Sequence, residues 1–120
     1  MTHSFESYPV ATEPEIALAM LRRNVESRLT RLRDLILREK GEVSKPSGID
    51  ARRALKELRA KGVITDDMES AIRGVMEAAN PAIHGQKVQP ARAGWAIEVG
   101  QSVIELLDRL VAEAESIRGT

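Results

Sequence analysis

ARAGWAIEVGQSVIELLDRLVAEAESI, residues 91–117, is the stretch whose reading decides the fold. Val99, Val103, Leu106, Leu110, Ala114 and Ile117 recur at steps of four, three, four, four and three, the spacing of a coiled-coil-like seam. Ile97, Ile104 and Val111 form a second apolar line at steps of seven. Two lines mean burial on more than one side. The cover is either the other helices of the same chain or a partner subunit, which would make the protein a homodimer. Trp95, near the start of this helix, reads as a core anchor, with an interface anchor as the alternative.

Upstream, the same helical spacing recurs. Thr12-Glu13-Pro14-Glu15 has the form of a capping box with proline in the first turn. The helix it opens runs to about Lys40, stopped by Gly41, with Ile16, Met20, Val25, Leu29, Leu32 and Ile36 as its buried stripe. Leu18, Leu21, Leu35 and Leu37 widen that stripe. Gly41 to Gly48 reads as a loop. Ser47-Gly48-Ile49-Asp50 opens a short helix through about Ala60, with Ala54, Leu55 and Leu58 inward and Lys61-Gly62 as its stop. Asp66 and Glu69 have cap spacing for a third helix, whose inner face is Met68, Ile72, Val75, Met76 and Ala79, ended by Asn80-Pro81. No segment alternates with period two, so no strand is expected. The expectation is an all-α four-helix bundle, two long outer helices around two short inner ones, over residues 12–120, preceded by an irregular arm at 1–11 that holds Phe5 and Tyr8.

The 120 residues hold 18 Lys plus Arg and 18 Asp plus Glu, and no cysteine, which removes disulfides, zinc-thiolate sites and thiol nucleophiles. No apolar run approaches a membrane span, and the polar start has no signal-peptide character, so a cytoplasmic home is expected. The neutral total hides segregation. Residues 1–21 sum to −3, residues 22–61 to +7 and residues 62–120 to −4. Thirteen of the basic residues are arginine, suited to bidentate contact with carboxylate or phosphate. One reading packs the basic helices against acidic ones, in the same chain or in a second copy. The other is a nucleic-acid surface centred on Arg22, Arg23, Arg28 and Arg31, although residues 22–61 contain no aromatic side chain on which a base could stack.

Few residues could carry chemistry. His3 lies in the arm, and His84 sits beside Gly85 at the junction of the last two helices, where it could transfer protons or tie the loop to a helix end. No nucleophile elbow, Walker loop or dinucleotide fingerprint is present. Asp66, Asp67 and Glu69 read as helix-start residues rather than metal ligands, so neither a metal nor a cofactor is expected. Arg22 and Glu26 have the spacing of a helix-surface ion pair, and Arg22 or Arg23 could also lie beside the His84 loop.

LAMLRRNVESRLTRL at 18–32, LKELRAKGVIT at 55–65 and ANPAIHG at 79–85, followed by the long last helix, resemble the HEPN superfamily. These are compact helical domains of prokaryotic toxins and antiviral systems, and one branch is appended to restriction and other defence enzymes. The resemblance covers about residues 12–118. It implies a dimer, and an RNA or protein partner. The superfamily's ribonucleases carry an arginine and, four to six residues later, a histidine, which meet in the dimer cleft for metal-independent RNA cleavage. His84 matches that histidine, and Asn80 the polar residue that often follows the arginine. The arginine is missing, because Glu77, Ala78 and Ala79 occupy its place and the nearest upstream is Arg73. The resemblance therefore implies a non-catalytic interaction or nucleic-acid-sensing module. The alternatives are an endoribonuclease using His84 and Asn80 with Arg73, or with an arginine from another helix or subunit, and a helical protein-binding adaptor.

Overall fold

The computed structural model describes residues 14–39 and 50–119. The arm at 1–11, Thr12, the Gly41–Gly48 loop and Lys40 all lie outside the described residues. Four helices follow in order: α1 Pro14–Glu39, α2 Ala51–Ala60, α3 Asp66–Ile83 and α4 Pro90–Gly119. The fold is the expected all-α bundle, and among the described residues there is no strand. α1 packs along α4 and α3 and also carries α2, which touches α3 only lightly.

Local chemistry sets the helix ends. Asp50 caps α2 by accepting the Arg53 N–H at 2.8 Å. Thr65, rather than Asp66, caps α3, and its hydroxyl accepts the Met68 N–H at 3.2 Å. α2 and α3 stop in the same way. Gly62 at φ +75° and Gly85 at φ +72° take the left-handed turn. Val63 then donates to the Leu58 carbonyl, and Gln86 to that of Pro81, closing two Schellman motifs. Asn80-Pro81 therefore does not end α3. Proline gives up one N–H bond and its ring crowds the carbonyl four residues back, but with only two residues of helix left to run α3 continues past it to Ile83.

The core corrects the expected stripes. On α1 the buried line is Leu18, Leu21, Val25, Leu29, Leu32 and Leu35, whereas Ile16 and Met20 are exposed. They fall on the same outward face as Arg23 and Ser27. On α4 the inward line is Ala93, Ala96, Gly100, Val103, Leu107 and Ala114. Leu106 is only half-buried and Ile117 points outward. The cause is a seam of small residues. A Cβ on Gly100 would lie 2.5 Å from Leu21 Cδ2, so α1 and α4 approach closely there and present the Gly100 face inward. The second apolar line is covered within the chain, since Ile97 is buried and Ile104 and Val111 pack partly buried on the core. Trp95 is not a core anchor. It is 46% exposed, with its ring edge over Gly74 of α3.

Candidate functional site

The sequence-predicted residues separate into two groups, at the end of α3 and along the outer side of α1. Arg22 leaves α1 where α3 crosses it. Its Nε donates to Glu26 Oε2 at 3.0 Å, and its Nη1 donates to the Met76 carbonyl at 3.2 Å and to Asn80 Oδ1 at 3.0 Å. The expected ion pair is present, and the same guanidinium ties α1 to the last turns of α3. Its side chain is only 13% exposed. Asn80 therefore does not cap α3. It lies inside the helix, with its amide oxygen held by Arg22.

His84 follows one turn later and is exposed. Its backbone N–H donates to the Pro81 carbonyl at 3.1 Å as the helix cap. Arg73 is not beside it. Eleven residues of helix separate them by roughly 16 Å along the axis at 1.5 Å per residue, and Arg73 pairs with Glu69 at 2.8 Å. The arginine that hydrogen-bonds to the last turns of α3 is Arg22. Arg23, one residue on, lines a cavity with Ala19, Glu26, Ala82 and Ile83.

The other predicted phosphate contacts are engaged inside the molecule. Arg28 pairs with Asp108 at 2.7 Å and Arg31 with Glu115 at 2.5 Å, both on α4. Arg33 is buried and pairs with Glu57 of α2 at 2.5 Å. Arg59 of α2 pairs with Asp66 at the start of α3. Three of these pairs join the +7 run to the −4 run, so helices of one chain complement each other in charge.

Two features were not predicted from the sequence. Glu15, read as half of a capping box whose Thr12 lies outside the described residues, accepts the Val88 N–H at 2.9 Å and fastens the loop after His84 to the start of α1. That hydrogen bond, its own backbone N–H and the nearby Lys87 charge hold the Glu15 carboxyl below its usual value. The second is the exposure of three large apolar side chains, Ile16, Met20 and Ile83. Ile16 and Met20 stand with Arg23 on one outward helix face, a mixed spacing that could have flagged a surface.

Among the described residues, no group of three or more His, Cys, Asp or Glu is placed to hold a metal ion, and no helix is long and apolar enough to cross a membrane. Compared with protein families, curated proteins and solved structures, the chain matches none.

Proposed function

We propose that the chain is a non-catalytic HEPN-like interaction module of a prokaryotic defence or toxin-type system. The observation that carries this reading is Arg22. It is the arginine that bonds to the last turns of α3, and it is mostly buried and held by Glu26, the Met76 carbonyl and Asn80. A phosphate clamp must present its donors where charge develops in the transition state. The Nε and Nη1 donors of Arg22 are already occupied. Nucleic-acid sensing is the weaker form of the reading, because Arg28 and Arg31 face acids of α4. The same reading makes the protein a cytoplasmic homodimer. The resemblance alone supports the dimer, since the second apolar line of α4 is covered within the chain.

The test is incubation of the purified full chain with single-stranded RNA, resolved on a gel, beside an anisotropy titration at rising salt. The reading expects intact RNA, no difference between wild type and His84→Ala, and no salt-sensitive binding. Cleavage that His84→Ala abolishes would overturn it.

One observation favours a second reading, a metal-independent endoribonuclease. Arg22 Nη1 lies 3.0 Å from Asn80 Oδ1, so an arginine from another helix bonds the residue four before His84. That reading requires cleavage to disappear in both His84→Ala and Arg22→Ala.

A further inference from the structure

We infer that the outward face of α2 docks an acidic helical segment of a partner protein, one that carries carboxylates a single turn apart. This rests on the interaction-module reading and names its surface and the chemistry of its partner.

Residues 51–61 hold five cations, Arg52, Arg53, Lys56, Arg59 and Lys61, against the single carboxylate of Glu57. Arg28 and Arg31 of α1 are spent on acids of α4, so the excess of the basic run stands here. α2 turns Ala51, Ala54, Leu55 and Leu58 into the core and leaves Arg52, Arg53 and Lys56 exposed on the opposite side. Arg59 is held by Asp66. Glu57 is held by Arg33 at 2.5 Å, with Arg53 at 3.5 Å. Arg52 and Lys56 carry no hydrogen bond or ion pair among the described residues.

This placement works against the helix. Cations in a first turn face the positive end of the helix dipole, and the first turn of α2 holds Arg52 and Arg53 with no acid. Arg52 with Lys56 and Arg53 with Lys56 are like charges at i,i+4 and i,i+3, the spacings at which helix side chains meet. These repulsions are small beside the interhelix ion pairs, which set the salt response of the whole chain. They are still local conflicts with the fold, and proteins retain such conflicts chiefly at functional surfaces.

Spacing and charge select the partner. Arg52 and Lys56 have Cβ atoms about 5–6 Å apart, which matches two carboxylates on one face of a partner helix at the same spacing. The stripe is roughly 15 Å long and ends at carboxylates, Asp50 before it and Asp66 with Asp67 after it. Duplex nucleic acid carries a charge about every 1.7 Å of axis without a break, so its backbone would run onto those acids. α2 also offers a base no aromatic side chain. A second copy of this chain lacks the pattern. Its unpaired acids on α3, Asp67 and Glu77, are ten residues apart. Those on α4, Glu98, Glu105 and Glu113, are seven and eight residues apart, with Arg109 between the last two.

The experiment titrates the full chain into a labelled, alanine-rich helical peptide with Glu at four-residue spacing on one face, read by anisotropy. A peptide of the same composition with its Glu residues shuffled around the helix is the comparison. The matched peptide is expected to bind, more weakly as salt rises, and at least tenfold tighter than the shuffled one. Arg52→Glu and Lys56→Glu each weaken binding by about tenfold or more, the loss of 1.4 kcal/mol. Arg92→Glu, at an exposed cation of α4 without an ion pair, leaves it unchanged. Both α2 variants melt at or a few degrees above wild type, since each removes a like-charge contact. A charge swap separates docking from a structural effect. The matched peptide with Lys in place of Glu binds the Arg52→Glu, Lys56→Glu double variant and not the wild type. Equal binding of the shuffled peptide, an equal loss in Arg92→Glu, or α2 variants that melt several degrees below wild type would each overturn the proposal. So would duplex RNA that binds more tightly than the peptide and is lost in the same two variants. Cleavage of RNA would overturn only the interaction-module reading, and failure of the peptide to bind would overturn only this surface.

Discussion

Gly100 offers the sharpest perturbation of the packing that orients the whole molecule. A Cβ there would lie 2.5, 2.9 and 3.1 Å from Cδ2, Cδ1 and Cγ of Leu21. Leu21 is 1% exposed, so it cannot swing out into solvent. Overpacking of this kind costs about 1–3 kcal/mol. Replacing a helical glycine with alanine returns about 1 kcal/mol of helix propensity. Gly100→Ala is thus expected to be neutral to destabilising by about 2 kcal/mol. Gly94 is the internal control. It lies on the same helix with nothing within 4 Å of an added Cβ, so Gly94→Ala gains the propensity without the clash. The two alanine variants should differ by about 1–3 kcal/mol, or roughly 4–12 °C in Tm at about 4 °C per kcal/mol. Urea midpoints at unchanged slope would check the same difference. If Gly100→Ala stabilises as much as Gly94→Ala, the close approach of α1 and α4 is wrong, and with it the inward placement of Leu107 over Leu106.

Two further outcomes test individual contacts. Arg33→Met should cost about 2–3 kcal/mol in urea unfolding, below the about 3–5 kcal/mol of a fully buried pair, because Glu57 is partly exposed and keeps Arg53 at 3.5 Å. A change below about 0.5 kcal/mol, typical of surface substitutions, would mean that Arg33 does not fasten α2 to α1. Glu15→Gln tests the loop latch through pH. The folded carboxyl is held below its unfolded value, so its contribution is present above the ordinary glutamate pKa of about 4.3 and is lost as pH falls through the lowered folded value. Wild type should therefore exceed Glu15→Gln in urea midpoint near neutrality, with the gap closing only in acid below about pH 4. A gap that does not change with pH would refute the contact with Val88.

The helix count and most boundaries were legible because caps and periodicity are local. Asp50 and the glycines at 62 and 85 stand where turn chemistry needs them. The inward faces were less legible, because large apolar residues drew the eye. Ala93, Ala96 and Gly100 form a seam by what they lack, and a pattern that counts only branched side chains passes over them. The same bias placed Ile16 and Met20 inside. At the candidate site, the Arg22–Glu26 spacing was readable within one helix, but the Met76 carbonyl and Asn80 are 54 and 58 residues away. The charge blocks at −3, +7 and −4 were visible in the sequence, whereas the pairing of Arg28 with Asp108 and Arg31 with Glu115 depends on which face of α4 meets α1.

That pairing is the center of the account, because an arginine already facing a carboxylate is a poor phosphate ligand. Salt tests it by sign. From about 0.01 M to 0.15 M the screening length falls from about 30 Å to about 8 Å. If the basic run is neutralised within the chain, salt weakens attractions. Three exposed interhelix pairs at about 0.2–1 kcal/mol each should then lose on the order of 1 kcal/mol together, and Tm should fall by a few degrees. If the basic run is instead an open patch waiting for phosphate, salt relieves its self-repulsion and Tm rises. A thermal melt of the full chain across that range should show the fall, and a rise would contradict the account.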